Sequence, residues 1–194
     1  MSPFDYAFGL ISILVGLALA DVAGSLHKLL RQGRAVKWDG RVILSVAFVI
    51  ILITGMWFSV WSIRTVNIVL WFPFYLTLFL EFMVLFLVCA ACLPDDAEES
   101  CDLGRFYENN RTYLWSVFAV FHTSFLLHWL YFETHTSTAG TSVQHSFLRG
   151  AAVCAPLLLF LLLAFIRSSR FHYAGLVALI AYYLYIYWRA TLAA

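Results

Sequence analysis

The chain has 194 residues, of which 63% are hydrophobic and only 12% are charged, and its formal net charge is +1. A soluble domain carries about 25% charged residues, so this composition supplies too little polar surface to cover a globule in water. The few basic residues and the near-zero charge argue against a nucleic-acid partner. The composition therefore predicts an integral membrane protein whose apolar surface faces the lipid bilayer.

The first apolar run differs from a secretory signal. Residues 1–6 contain Asp5 but no Lys or Arg, whereas Lys28, Arg31 and Arg34 follow the run. A signal peptide carries its basic residues before its apolar core. We therefore expect a retained first span with its N-terminus outside.

Five more apolar runs follow, and each approaches the ~20 residues that cross a bilayer as a helix. Pro73 lies near the start of the third run, where proline is tolerated, and Pro94 follows its end. We predict an all-α bundle of six transmembrane helices in a single transmembrane domain covering 1–194, with helices at 4–30, 42–62, 69–93, 105–133, 147–167 and 171–188.

The connections between these helices are short, and none could form a soluble domain. The link at 167–173 is so short that the last two spans could be divided wrongly. The other connections are a basic loop at 33–41, a tight turn at 64–67, an acidic loop at 95–102 and a Ser/Thr/Gly-rich loop at 134–146.

The distribution of Lys and Arg predicts the orientation, because these residues concentrate on the cytoplasmic side of membrane proteins. An N-out, C-out arrangement leaves only Arg64, Arg149 and Arg189 of the 12 basic residues outside. It places the other nine inside: Lys28, Arg31, Arg34, Lys37, Arg41, Arg105, Arg111, Arg167 and Arg170. The glycosylation-like triplet Asn110-Arg111-Thr112 would then also lie inside, which favours a bacterial inner (plasma) membrane.

Glu81 is the most informative residue, because an ionisable side chain at mid-membrane is costly and marks a functional site. It lies ~18 Å from the end of its predicted helix at Leu93 by helical rise. His122, on the next helix, lies ~15 Å from the same side, counted from Thr112. We expect Glu81 and His122 to pair, as an ion or proton site or as a neutral hydrogen bond that fixes packing. His128, six residues further along the chain, faces elsewhere and lies nearer the outer surface.

Asp21 and Tyr182 are the other candidates for a polar core. Asp21 could form a local anchor with Ser25 and Lys28, or the inner mouth of a polar route that continues to Glu81. Tyr182 is deep enough in the last helix that its hydroxyl needs a partner. The predicted ion or proton pathway therefore comprises Asp21, Glu81, His122 and Tyr182.

The first helix carries small residues at Gly9, Gly16, Ala20 and Gly24. The spacing from Gly16 to Gly24 lets helix backbones approach closely, within one chain or between subunits. A chain this small leaves little interior for a substrate path, so we expect a homo-oligomer.

Metal, cofactor and catalytic signals are weak. Cys89-x-x-Cys92 and Cys101 lack the four ligands of a structural zinc site, and Glu133, His135 and His145 match no strong metal motif. A haem held by two histidines would need a second mid-membrane histidine from another subunit. We therefore predict no metal, no cofactor and no catalytic residue.

Three classes of function remain at this point. The first is an oligomeric ion channel or proton-coupled transporter with a Glu/His/Asp polar core. The second is a non-enzymatic membrane scaffold or regulatory subunit that docks a protein partner through its cytoplasmic loops. The third, an intramembrane enzyme acting on lipid or quinone, lacks a clear nucleophile or metal.

Overall fold

The computed structural model of this chain describes residues 3–62, 71–94, 101–136 and 143–188. Within these ranges the fold is all-helical apart from one very short strand pair. The helices are α1 (Pro3–Gln32), α2 (Gly40–Ser62), α3 (Phe72–Ala91), α4 (Leu103–Thr136), α5 (Val143–Phe165) and α6 (Ser169–Tyr187), and the strands are β1 (Val36–Lys37) and β2 (Cys101–Asp102).

The all-α prediction and the order of the six helices are confirmed, with boundaries that shift by a few residues. Gly33 follows α1 with a φ of 55°, a left-handed conformation that favours glycine and ends a helix. Pro73 occupies the first turn of α3, as predicted. Residues 166–168 are not helical, so α5 and α6 are separate helices.

Four helices in the described part of the chain are long and apolar enough to cross a membrane. They are the stretches Phe4–Ala35, Gly40–Trp61, Phe72–Ala91 and Leu103–Tyr131. The apolar part of α5, Val153–Phe165, is shorter. Apolar side chains also remain on the surface, such as Ile13 and Leu127, which are 60% and 64% exposed. The fold is therefore compatible with a membrane location.

Several features predicted from the sequence fall outside the described residues. These are the turn at 64–67, the acidic residues at 95–100, residues 137–142 of the polar loop, and Arg189. The side chains of Glu133, His135, His145 and Arg149 also lie outside the described part of the structure.

α4 packs antiparallel on α3 and α5, whereas α1 packs parallel on α3 and α6 packs parallel on α2. The centre is aromatic: the rings of Phe48, Trp115, Phe118 and Phe160 are fully buried and their neighbouring centroids lie 5.0–6.2 Å apart. This cluster, called the aromatic stack below, joins α2, α4 and α5.

One end of the bundle, called the basic end below, comprises residues 31–41, 101–111 and 166–172. Val36 and Lys37 pair in parallel with Cys101 and Asp102, which ties the α1–α2 connection to the start of α4. Arg41 is only 7% exposed and forms ion pairs with Asp39 and Glu108. Its guanidinium carbon also lies 4.9 Å from the centroid of the Tyr107 ring.

A second set of hydrogen bonds at the basic end joins α4 to α5 and α6. The Tyr107 hydroxyl lies 2.6 Å from His172 Nδ1 and accepts a hydrogen bond from Trp115 Nε1 at 3.1 Å. His172 Nε2 and Arg111 both reach the Ile166 carbonyl, at 2.8 and 2.9 Å. The basic end thus joins polar side chains of α2, α4 and α6 and the Ile166 carbonyl in one network, in which Arg111 Nε is buried without a hydrogen-bond partner among the described residues.

Acid should weaken this network through Asp39. The Arg41 guanidinium beside it holds the pKa of the Asp39 carboxyl below its usual range, mainly through their side-chain hydrogen bonds. A carboxyl with a lower pKa in the folded state stabilises the fold above the unfolded-state pKa, about 3.9 for Asp. That stabilisation is lost as the pH falls through the folded-state value.

We predict that Asp39→Asn lowers stability near neutral pH by ~1–3 kcal/mol, because the buried Arg41 guanidinium loses a charged partner. The variant should also lose less stability than the wild type when acidified from about pH 6 to 3. Thermal unfolding in detergent, followed by circular dichroism, measures both effects. Lys37→Gln is the control: Lys37 is 79% exposed in its ion pair with Asp102, so its loss should change little. Equal acid sensitivity of Asp39→Asn and the wild type would contradict the assignment.

Candidate functional site: a buried carboxyl–imidazole pair

Glu81 lies at the centre of α3 and is almost completely buried, with 2% of its surface exposed. It is about 15 Å by helical rise from each end of this 20-residue helix. A bilayer core is about 30 Å thick, so an α3 that spans it places Glu81 near the midplane. Mid-helix glutamate is tolerated there only if the bundle supplies partners.

The partner of Glu81 is His128 on α4. His128 Nδ1 contacts Glu81 Oε2 in a short hydrogen bond or ion pair, and His128 Nε2 lies 2.8 Å from Thr77 Oγ1. Thr77 precedes Glu81 by one helical turn on α3 and also donates to the Phe74 carbonyl at 2.8 Å. These contacts define the candidate site, called the Glu81 site below: Thr77, Glu81 and His128.

The predicted pairing of Glu81 with His122 is wrong, and helix rotation explains why. Residues six apart in a helix point about 120° away from each other. The face of α4 that meets α3 carries His128, whereas the face that meets α5 and α6 carries His122. Depth along the helix suggested His122, but depth does not say which face of α4 meets α3.

His122 occupies a separate buried position. Its Nε2 lies 2.8 Å from the Val153 carbonyl and its Nδ1 lies 3.1 Å from the Tyr183 hydroxyl. The tyrosine hydroxyl that contacts His122 is that of Tyr183. Tyr182 is half-buried and contacts the Tyr183 ring edge-on, with centroids 5.3 Å apart.

The two histidines differ in how fully their polar neighbours are satisfied. A neutral His122 satisfies both contacts, because Nε2–H donates to the Val153 carbonyl while Nδ1 accepts from Tyr183. At the Glu81 site, Glu81 Oε1 is buried and has no hydrogen-bond partner among the described residues. An unsatisfied buried acceptor costs ~1–3 kcal/mol, and a native structure that retains one invites a functional explanation.

Tyr187 of α6 lies on another side of the Glu81 site. It is within electrostatic range of Glu81, and its hydroxyl hydrogen-bonds Ser59 of α2. Gly55, one turn before Ser59, leaves room for the Tyr187 ring, because a Cβ at position 55 would overlap it. Gly55 thus sets how closely α6 approaches α2 beside the Glu81 site.

Asp21 does not join the Glu81 site. It is half-buried on α1 and lies within electrostatic range of Cys89 on α3. Cys89 is two helical turns from Glu81, about 12 Å toward the basic end. Ser25, one turn further along α1, is buried at 7% exposure, whereas Lys28 is exposed. This placement fits a local anchor better than a continuous polar route.

The small residues of α1 face outward from this chain. Gly9, Gly16, Ala20 and Gly24 are all exposed. A Cβ added at any of the three glycines would meet nothing within 4 Å. The stripe therefore makes no close helix contact with the described part of its own chain.

The described residues contain no group of three or more His, Cys, Asp or Glu side chains arranged to hold a metal ion. Cys89 and Cys92 are buried free thiols, and Cys92 Sγ donates to the Val88 carbonyl at 3.2 Å. Their helical setting suits packing.

One signal in the sequence points to the correct partner. Thr77 and Glu81 are four residues apart, so they share one face of α3 and define a polar strip that extends outward from Glu81. A histidine that contacts both must lie outward of Glu81. His128 meets that requirement, and the depth comparison that selected His122 ignored it.

Comparison of the chain with protein-family models, curated proteins and solved structures found no match. The fold and the site themselves define the class: an all-helical protein with helices long and apolar enough for a membrane, and a carboxyl–imidazole pair buried between two of them.

We predict that Gly55→Ala lowers the free energy of unfolding by ~1–3 kcal/mol, because the new methyl group forces the Tyr187 ring out of its position. Tryptophan fluorescence during thermal unfolding in detergent measures the change. Gly16→Ala is the matched control, since the space around Gly16 is open and alanine raises helix propensity by up to ~1 kcal/mol. If both variants unfold like the wild type, the packing described around Gly55 is incorrect.

Proposed function

We propose that this protein is a small ion-translocating membrane protein, a proton-coupled transporter or channel in which Glu81 is the ion or proton site. The observation that carries the proposal is the burial of Glu81 at the centre of α3 with one carboxylate oxygen unsatisfied. A group that served only packing could be replaced by an apolar residue at little cost or some gain in stability. The buried carboxyl–imidazole pair is the arrangement that proton relays in membranes use.

The surroundings of the Glu81 site support access from the end of the bundle opposite the basic end. Thr77 and His128 continue the polar strip toward that end, and the His128 side chain is 16% exposed. In the other direction the aromatic stack fills the interior between α2, α4 and α5. A translocation cycle would then need movement of α3 or α4 to reach the basic end, which favours a gated carrier over an open pore.

The membrane arrangement belongs to the same proposal. We place all six helices across a bacterial inner membrane with both termini outside, so that the basic end faces the cytoplasm. The gathering of Arg34, Lys37, Arg41 and Arg105 at one end of the bundle supports this orientation. The exposed small-residue stripe of α1 supports association with a second copy, since close backbone approach needs such residues.

The test is flux into liposomes that contain the purified protein. We predict proton or cation flux for the wild type between about pH 5 and 8, the range in which a histidine titrates. Glu81→Gln and His128→Ala should reduce flux to the level of protein-free liposomes, because each removes one member of the pair. Tyr183→Phe is the control, since it removes a hydroxyl hydrogen bond from His122 and leaves the Glu81 site intact. Wild-type flux at background, or flux unchanged in both site variants, would rule the proposal out.

A second candidate function is a scaffold that docks a soluble partner at the basic end. A cavity of about 370 Å³ opens there between charged side chains and the half-exposed indole of Trp38. Its lining residues are Lys37, Trp38, Asp39, Arg41, Asp102, Gly104, Arg105 and Glu108. Mixed charges around an exposed indole are typical of a protein-binding surface.

We predict that Arg105→Glu disrupts capture of a cytoplasmic partner if the scaffold function is correct, because it reverses an exposed charge at the rim. Affinity purification from membranes, with Arg170→Glu as a control outside this cavity, measures the effect. A partner retained equally by both variants, or no partner with the wild type, would count against docking at this surface.

A further inference from the structure

We propose that the Glu81 site binds a proton rather than an alkali-metal cation. A role of this proton in transport rests on the translocation function proposed above. The binding statement can be tested separately from flux.

The chemistry of the two side chains sets the number of protons at this contact. His128 Nδ1 lies against Glu81 Oε2 and His128 Nε2 lies 2.8 Å from Thr77 Oγ1, and either ring nitrogen can carry the single hydrogen of a neutral imidazole. Beyond that hydrogen, the pair can take up one further proton, held on the ring or on the carboxyl. The pair therefore carries one exchangeable proton. With this proton the pair is neutral overall, and without it the pair carries one negative charge.

The geometry offers little to a metal cation. His128 already occupies Glu81 Oε2, which leaves Oε1 as the single unused carboxylate oxygen. A cation that leaves water must replace most of its hydration shell with oxygen ligands, as ion-selective filters do with rings of carbonyls. A proton needs only one oxygen or one ring nitrogen. The Glu81 site therefore meets the requirement for binding a proton, but it has too few oxygen ligands to bind a metal cation.

Among the described residues, few other titratable groups face Glu81 from the helices packed around it. His128 comes from α4 and Tyr187 from α6, while α2 contributes the uncharged Ser59 beside Tyr187. α1 brings Asp21 to Cys89, about 12 Å further along α3. The exchangeable proton is therefore assigned to the contact between Glu81 and His128.

Loss of the proton leaves one negative charge at the Glu81 site. The remaining ring hydrogen of His128 can then lie on Nδ1 and donate to the Glu81 carboxylate, while Nε2 accepts from the Thr77 hydroxyl. The contact between α3 and α4 therefore persists in both protonation states, and only the charge of the pair changes. A proton relay requires such a group, which gains and loses a proton without a change of partners.

The experiment is a proton titration of the purified protein in detergent, repeated in NaCl, KCl and choline chloride at equal ionic strength. Cations that compete for the site displace the proton and shift the titration, whereas choline only screens charge. We expect the wild type to release one proton per chain more than the double variant Glu81→Gln/His128→Ala, with the same midpoint for this proton in all three salts. Tyr183→Phe should retain it. A midpoint shifted by NaCl or KCl but not by choline would overturn the inference, as would equal proton release by the wild type and the double variant.

A second measurement needs no variant at the site. Infrared difference spectra of the wild type across the same titration should show the carboxylic-acid or imidazolium signal of the pair disappear as the pH rises. Unchanged spectra would also overturn the inference. A normal titration without any liposome flux would leave the proton site in place and refute the translocation function, so the two failures can be distinguished.

Discussion

The structure depends on one constraint: a carboxyl group at the centre of an apolar helix must find its partners inside the bundle. α3 carries Glu81 about halfway along its length, where its side chain is almost completely buried. The helix must therefore present that face to a neighbour with a polar side chain. His128 supplies it from the face of α4 that meets α3.

Three buried or nearly buried histidines in α4 and α6 differ in whether their contacts only stabilise packing or can also exchange a proton. His122 and His172 each accept from a tyrosine hydroxyl and donate to a backbone carbonyl, so a neutral ring satisfies all of its neighbours. His128 instead contacts an acid that retains an unsatisfied oxygen. Only the Glu81–His128 pair can gain or lose one proton, and so change its net charge, while it keeps the same hydrogen-bond partners.

The basic end and the aromatic stack give the bundle one rigid half. Arg41, Tyr107 and His172 link the starts of α2, α4 and α6, and the stacked rings beside them leave no room for side chains to change rotamer freely. The Glu81 site lies beyond this half.

Hydropathy and the cost of a buried charge are properties of composition and of position along the chain, so the amino-acid sequence predicted the apolar helices, the all-helical fold, the six segments and Glu81 as the residue of interest. The packing of the helices was needed to show that Glu81 meets His128, that Tyr183 meets His122, and that the small residues of α1 face outward. Each of these depends on the rotation of one helix about its axis against its neighbours. When a helix is apolar on nearly every side, its sequence does not indicate which face is buried. The packing of complete helix surfaces against each other then determines the rotation.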